Sequence, residues 1–139
     1  MWQRIQTIFL LLALGLEAAL VFAPLWREGT ALHSIGAFIW TNPPELFPTL
    51  ASALLLASAG ITSSALFLYR RRTRQIRLCR WNIVVLTSSQ ILIACYFFTM
   101  KMPFFTPAVF PAIAAALHFL AMRYIRRDEK RVRAADRLR

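Results

Sequence analysis

The sequence predicts an all-α membrane protein with four transmembrane helices, arranged as two antiparallel hairpins and followed by a charged helical tail. Apolar residues make up 58% of the 139-residue chain, above the roughly 45–50% that is typical of soluble domains. The 17 Lys and Arg residues concentrate in two short blocks, which are separated by long uncharged runs. Apolar runs that alternate with basic blocks are typical of polytopic membrane proteins. The length allows a single domain, residues 1–139.

Four apolar segments reach the length of about 20 residues that is needed to cross a hydrocarbon core of about 30 Å. They are Ile5–Trp26, Phe47–Tyr69, Trp81–Met100 and Thr106–Tyr124. Helices are expected because an isolated strand leaves its backbone polar groups unpaired in lipid. The first segment exceeds the apolar core of about 7–15 residues found in signal peptides. We therefore interpret it as a retained span.

The basic residues also predict the orientation of the chain. Both termini and the connection between the second and third spans share one side of the membrane, and they carry 15 Lys and Arg residues. The other side carries two, Arg27 and Lys101. Because Lys and Arg accumulate in cytoplasmic loops, both termini are predicted to be cytoplasmic. The chain is predicted to cross the membrane several times.

The two basic blocks are the candidate contact surface for lipid or for a partner. A net charge of +11 also suggests nucleic-acid binding, but the charges do not decorate a globular surface, so we expect no nucleic acid. The middle block suits anionic headgroups because it contains no acids. The tail interleaves acids with bases, which is consistent with docking on the middle block or on another protein and equally with a solvated helix extension. The contact residues are Arg70, Arg71, Arg72, Arg74, Arg77, Arg80, Arg126, Arg127, Asp128, Glu129, Arg133, Asp136 and Arg137.

Glu17 is the only carboxylate inside a predicted span, about twelve residues into the first segment and therefore near mid-membrane. An ionisable residue there suggests a functional site because burying its charge is costly. The alternative is a carboxyl group that serves only as a structural hydrogen-bond partner. Gln90 on the third span and His118 on the fourth are its candidate partners.

No pattern of catalytic or metal-binding residues is present, so we expect no enzyme, no metal and no cofactor. Motifs for nucleotide binding, for hydrolysis or for a zinc protease are missing. His33 falls in an outer loop, and His118 falls in a span. Cys79 and Cys95 are sixteen residues apart on one predicted helix, about 24 Å, which is too far for a disulfide.

The outer connection, residues 27–46, is expected to contain a short helix. Leu32, Ile35, Phe38 and Ile39 fit one face of such a helix, either lying on the membrane or contacting a partner.

The starts of the second and fourth spans, FPTLASAL and FPAIAAAL, also resemble each other. Small residues recur four apart in both spans, which permits close helix packing. These two spans are therefore expected to form the tightly packed centre. The recurring pairs are Ala53 with Ala57, Gly60 with Ser64, and Ala112 with Ala116.

Three stretches carry a resemblance to a known family. They are QRIQTIFLLLA (3–13), RQIRLCRWN (74–82) and, most specifically, RYIRRDEKRVRAADRLR (123–139). The chain resembles a family of small four-helix inner-membrane proteins of the Bacteroidota, the domain-of-unknown-function family 4293. The resemblance implies four spans and no established activity.

Two functions are consistent with these observations. The first is a non-enzymatic accessory or assembly subunit of a larger membrane complex, docking through its cytoplasmic basic loop and C-terminal helix. The alternative is a small transporter or channel that uses Glu17, Gln90 and His118. Four helices rarely enclose an aqueous path, so this alternative requires a homo-oligomer.

Overall fold

Four long helices and one short β-hairpin make up the computed structural model, which describes residues 2–22, 24–28, 31–34, 46–69, 71–101 and 106–136. The helices are α1 (Trp2–Phe22), α2 (Leu46–Phe67), α3 (Arg72–Met100) and α4 (Phe110–Asp136). The strands β1 (Pro24–Glu28) and β2 (Ala31–Ser34) lie between α1 and α2, and a 3₁₀ turn over Thr106–Val109 precedes α4. The predicted four-helix architecture is confirmed, and the hairpin is an addition to it.

Each helix packs against its neighbours in sequence, and α4 closes the bundle against α1. The largest contacts join α2 with α3, α1 with α4, and α3 with α4. The helices alternate in direction, which brings the start of α1, the turn between α2 and α3, and the end of α4 to one end of the bundle. We call this the basic end, because most of the Lys and Arg residues belong to it.

Buried residues recur along every helix at alternating spacings of three and four. This heptad pattern places one stripe of each helix against its neighbours, as in coiled coils and most four-helix bundles. The stripes run through Gln6, Leu10, Ala13, Glu17 and Leu20 on α1; Ala51, Leu55, Ser58, Thr62 and Ala65 on α2; Gln75, Cys79, Asn82, Leu86, Ser89, Ile93 and Tyr96 on α3; and Pro111, Ala114, His118, Ala121 and Ile125 on α4.

The apolar core has two parts. One cluster, near the basic end, contains Leu10, Ala65, Cys79, Ala121, Met122 and Ile125. The other contains Ala13, Leu20, Ala51, Leu55, Leu86, Ile93, Phe97, Ala108, Ala114 and Ala115. On α2, α3 and α4 the residues between these two clusters are polar, so a polar layer divides the core.

The outer connection differs from its prediction. Leu32 lies in β2, opposite Arg27 of β1, in an antiparallel pair rather than on a short helix. Ile35, Phe38 and Ile39 lie outside the described residues. The first helix ends at Phe22 rather than Trp26, because Pro24 cannot donate a helical hydrogen bond, and Trp26 joins β1.

The third helix begins nine residues before its predicted start. It includes the arginine-rich segment, because no Gly or Pro interrupts residues 72–80 and because Gln75 and Cys79 bury on the same stripe as the rest of α3. Gln75 Nε2 donates to the Ala65 carbonyl oxygen of α2 over 3.1 Å, which fixes the first turns. The fourth helix continues without a break from Phe110 to Asp136, as the predicted tail helix requires.

The outward faces of the helices are apolar, whereas several of the buried side chains are polar. Large apolar side chains on these outward faces are each between 44% and 82% exposed, namely Ile8, Leu11, Leu12, Leu56, Val84, Ile91, Phe98, Ile113 and Phe119. Among the described residues, two stretches are long and apolar enough to span a membrane, Thr49–Phe67 and Arg72–Thr99, and a shorter apolar stretch covers Ile5–Leu20. The four-span topology and the orientation stay predictions.

The predicted central pairing of the second and fourth helices is wrong. In the described part of the chain, α2 and α4 lie diagonally and share few close contacts. The small residues that suggested the pairing are exposed on the outer surface, namely Ala53, Ala57, Gly60, Ser64, Ala112 and Ala116. Their spacing identified a common helix face correctly but could not tell the inner face from the outer one.

Candidate functional site: a buried polar cluster and a basic platform

All four helices contribute to one buried group of polar side chains. It consists of Glu17 from α1, Ser58 and Thr62 from α2, Asn82 from α3 and His118 from α4, each no more than 1% exposed. We call these five residues the polar cluster. Each of them occupies a position on its helix's heptad stripe, so the packing that buries the apolar core also brings these groups together.

Glu17 is the acceptor at the centre of the polar cluster. Ser58 Oγ donates to Glu17 Oε1 over 2.8 Å. Thr62 Oγ1 lies 2.9 Å from Oε2 and 3.1 Å from Oε1, and Asn82 Nδ2 lies 3.4 Å from Oε1. His118 Nε2 is 3.5 Å from the same oxygen. Several donors therefore surround a carboxyl group that would otherwise be costly to bury.

Asn82 links the carboxyl group to the imidazole ring. Its Nδ2 donates to Thr62 Oγ1 over 2.8 Å and lies 2.9 Å from His118 Nε2. Thr62 Oγ1 is itself 3.1 Å from His118 Nε2. Thr62 has one proton to donate, and the Ser58 carbonyl oxygen competes for it at 3.0 Å, so not all of these short distances are hydrogen bonds at once.

The polar cluster can hold its protons in two arrangements. With Nε2 of His118 unprotonated, that atom accepts from Asn82 Nδ2. With Nε2 protonated, Nε2 can donate to Glu17 Oε1. If the side-chain amide of Asn82 also rotates by half a turn, its Oδ1 takes the place of Nδ2 and gives Nε2 a second acceptor. To change from one arrangement to the other, a proton on the His118 ring and the side-chain amide of Asn82 must move, but no helix has to move. The two arrangements therefore differ in which atoms donate and which accept within the polar cluster.

Two atoms at the edge of the polar cluster lack a partner. His118 Nδ1 and Asn82 Oδ1 are buried and form no hydrogen bond with the residues that the structure describes. Buried polar atoms in folded proteins are almost always paired. The polar atoms around Glu17 are thus hydrogen-bonded, whereas Nδ1 of His118 and Oδ1 of Asn82 are not.

The sequence identified two members of the polar cluster and missed three. It paired Glu17 with His118 but chose Gln90 in place of Asn82. Gln90 lies eight residues beyond Asn82 on α3, about 12 Å along the axis, is partly buried, and its Oε1 has no hydrogen-bond partner among the described residues. Asn82 was missed because the third span was predicted to begin at Trp81. The spacing of Gln75, Cys79, Asn82 and Leu86 is the signal that identifies its buried position.

The mid-membrane position of Glu17 stays a prediction, but on α3 the polar cluster lies next to the arginine-rich segment. Asn82 follows Arg80 by two residues, about 3 Å along the helix axis. Ser58 and Thr62 carried no signal of their own, because Ser and Thr are common in membrane helices, where they often bond to the preceding turn. Ser63 and Ser64 do so on the same helix.

At the basic end, the start of α3 and the tail of α4 are joined by an ion pair. Arg72 Nη2 lies 3.1 Å from Asp128 Oδ2, with side chains 25% and 16% exposed. The contact lacks hydrogen-bond alignment at that oxygen, so it is a charge pair and not a directed bond. We call residues 71–80 and 123–136 together the basic platform.

Most of the predicted contact residues face outward on the basic platform. Arg72, Asp128 and Glu129 are partly exposed, and the exposed residues are Arg71, Arg74, Arg77, Arg80, Arg126 and Arg127. Arg133 and Asp136 belong to α4, and their role as contact residues stays a prediction. Arg70 and Arg137 lie outside the described residues.

The cysteines and other metal-binding side chains form no further site in the described ranges. Cys79 is buried, Cys95 is exposed, and both are free thiols. No group of three His, Cys, Asp or Glu side chains is close enough together among those residues to hold a metal ion.

Comparison with known proteins gives one match. A family profile described as "Domain of unknown function (DUF4293)" matches residues 2–138, nearly the whole chain and including the polar cluster and the basic platform. This is the family that the three sequence stretches resemble. Neither a curated protein nor a solved structure matches the chain.

Proposed function

Since the chain belongs to the DUF4293 family, we propose that it is a non-enzymatic, multi-pass protein of a bacterial inner membrane that serves as an accessory or assembly subunit. Both termini lie in the cytoplasm in this proposal. The basic platform is the surface that docks on a larger membrane complex. The observation that carries the proposal is the ion pair between Arg72 and Asp128, because it ties the tail to the bundle and presents both basic segments as one surface.

The distribution of polar and apolar side chains supports placement in a membrane. The interior holds Glu17, Asn82 and His118, each at most 1% exposed, while Leu11, Leu12 and Ile91 are more than half exposed on the outside. A water-soluble bundle requires the opposite arrangement on its outer faces. Lipid provides a solvent for those apolar faces.

The continuous helices of the basic platform support a docking role. The helix α4 continues through a segment that carries many charges, and Gln75 anchors the start of α3 to α2. A preorganised surface binds a partner at a lower entropic cost than a flexible tail does. The tail carries both acids and bases, and such a charge pattern allows more specific recognition of a partner than a uniform positive charge does.

Recovery of a partner from the native membrane tests this role. We expect a tagged chain to co-purify with a larger subunit. Truncation after Asp128, which keeps the Arg72 contact, should reduce that recovery about tenfold or more, in line with the loss of a docking surface. Lys101→Gln, at the opposite end of the bundle, is the control and should leave recovery unchanged. Equal recovery with and without residues 129–139 would refute the docking role of the tail.

The polar cluster favours a second function, a proton-coupled transporter or channel. Glu17 and His118 can exchange a proton across 3.5 Å, and His118 Nδ1 and Asn82 Oδ1 are unpaired atoms through which a pathway could continue. The proposed residues are now Glu17, Asn82 and His118, since Gln90 is too far from the other polar groups. A homo-oligomer would supply the enclosed route that four helices rarely form alone.

Proton flux into proteoliposomes distinguishes the two functions. Transport predicts flux above that of empty vesicles, lost in Glu17→Gln and retained in Gln90→Leu. The molecular mass in detergent gives a second readout, because a defined homo-oligomer favours transport and a monomer with a foreign subunit favours docking. Flux equal to that of empty vesicles at every pH gradient would eliminate the transporter.

A further inference from the structure

We propose that the tail side of α4 carries a binding site for one anionic phospholipid. The site is a groove of about 440 Å³ lined by Phe119, Met122, Arg123, Arg126, Arg127 and Lys130. We call it the α4 groove. This inference rests on the proposed membrane placement, and it adds a defined site for one lipid molecule to a surface that the proposed function uses for docking on a protein.

The lining residues share one helix face. Their spacings of three and four place them along α4 over eleven residues, about 16 Å. A volume of about 440 Å³ lies within the roughly 300–1,000 Å³ of ordinary ligand sites. It is large enough for a headgroup and the adjoining part of the acyl chains.

The charges of the α4 groove select an anion. Four of its six lining residues are basic, and no acid lines it among the residues that the structure describes. Asp128 and Glu129 lie between these bases along the chain, and Asp128 is engaged by Arg72 of α3. Arg side chains bind phosphate oxygens through paired N–H donors, so a phosphodiester fits better than a carboxylate alone.

The order of residues along the α4 groove favours a lipid over a soluble anion or a peptide. Phe119, 53% exposed, and Met122 lie at one end, and the basic residues follow toward the tail. A phospholipid has the same order, with apolar chains joined to a charged headgroup. A soluble phosphate has no use for the exposed ring of Phe119, and an acidic peptide has no need for apolar and basic residues to be segregated.

Lipid titration of the full-length protein in detergent, read by native mass spectrometry, tests the site. Phosphatidylglycerol and phosphatidylcholine with identical chains are the probes. We expect phosphatidylglycerol to bind at least tenfold more tightly. The double variant Arg123→Gln/Arg126→Gln should bind it roughly 10- to 30-fold more weakly, given the usual contribution of a basic residue near a membrane surface.

A matched control separates the α4 groove from net charge. Lys101→Gln/Arg131→Gln also lowers the net charge from +11 to +9 but changes no lining residue, so it should bind phosphatidylglycerol like the unchanged protein. Equal weakening in both double variants, or no preference for phosphatidylglycerol, would overturn the site. Equal affinity for glycerol phosphate, or preferential binding of an acidic peptide, would also overturn a lipid ligand.

Failure of this site can be told apart from failure of the proposed function. If the lipid preference is absent while truncation after Asp128 still abolishes partner recovery, only the lipid site is wrong. If the protein stays monodisperse in water without detergent, the membrane placement is wrong and both proposals fail together.

Discussion

In the middle of the bundle, five fully buried polar side chains bond to one another, whereas the ion pair of Arg72 and Asp128 at the basic end is partly exposed and joins two helices. The polar cluster receives a residue from every helix. The pair of Arg72 and Asp128 connects only α3 and α4. A buried network is expensive to break, because each orphaned group keeps its desolvation cost. An exposed ion pair contributes little to stability. The polar cluster therefore fixes how the helices align, and the basic platform is available for binding.

The largest effect is expected where Glu17 is removed. Glu17→Leu leaves Ser58, Thr62 and Asn82 without their shared acceptor, and we expect it to lower the free energy of unfolding by about 2–4 kcal/mol. Unfolding by increasing amounts of a denaturing detergent measures the change. Ala18→Leu places the same side chain on the adjacent exposed position and should have little effect. If the two variants are equally stable, the polar cluster does not hold the bundle together.

A smaller loss is expected at Asn82, and it should exceed the loss at Gln90. Asn82→Ala removes the donor shared by Thr62 and His118, at a cost of about 1–2 kcal/mol. Gln90→Ala, on the same helix, removes an amide whose oxygen has no partner in the described structure. The same denaturation assay compares them. A larger loss for Gln90→Ala would support the site that the sequence alone predicted.

The ion pair at the basic end should contribute less than about 1 kcal/mol. A double-mutant cycle of Arg72→Gln and Asp128→Asn should give a small favourable coupling that declines at high salt, because salt screens exposed charges. The matched cycle of Arg74→Gln and Asp128→Asn should give no coupling, since Arg74 is exposed and, two residues from Arg72 on α3, faces another side of that helix. Coupling above about 2 kcal/mol would show that the basic end is held as firmly as the middle.

The smallest effect is expected on the outer surface. A methyl group added at Gly60 or at Gly15 meets no atom within 4 Å. Gly60→Ala and Gly15→Ala should therefore both change stability by less than about 1 kcal/mol, in the stabilising direction that helix propensity gives. Thermal unfolding in detergent is the measurement. Destabilisation by Gly60→Ala alone would indicate that this face of α2 contacts another protein. The outer surface would then not be exposed to lipid along its whole length.

The sequence predicted the number of helices and the continuous tail helix, because apolar length and the lack of helix breakers determine both. It failed at the start of α3, where four arginines concealed a buried stripe that runs through Gln75 and Cys79. The same error put Asn82 at the very start of the predicted span and left Gln90 as the apparent partner of Glu17. The small residues of α2 show a related limit, since Ala53 and Ala57 share a face whether it points inward or outward. Helix rotation depends on the neighbouring helices, which hydropathy alone does not specify.

Labelling of single cysteines in spheroplasts tests most directly the claim that the whole basic end faces the cytoplasm. With Cys95 replaced by Ser and buried Cys79 retained, three exposed positions receive the probe residue in separate variants: Thr73→Cys, Arg131→Cys and Lys101→Cys. A membrane-impermeant maleimide should label the Lys101 variant in intact spheroplasts and the other two only after permeabilisation. Labelling of the Thr73 or Arg131 variant in intact spheroplasts would contradict the account.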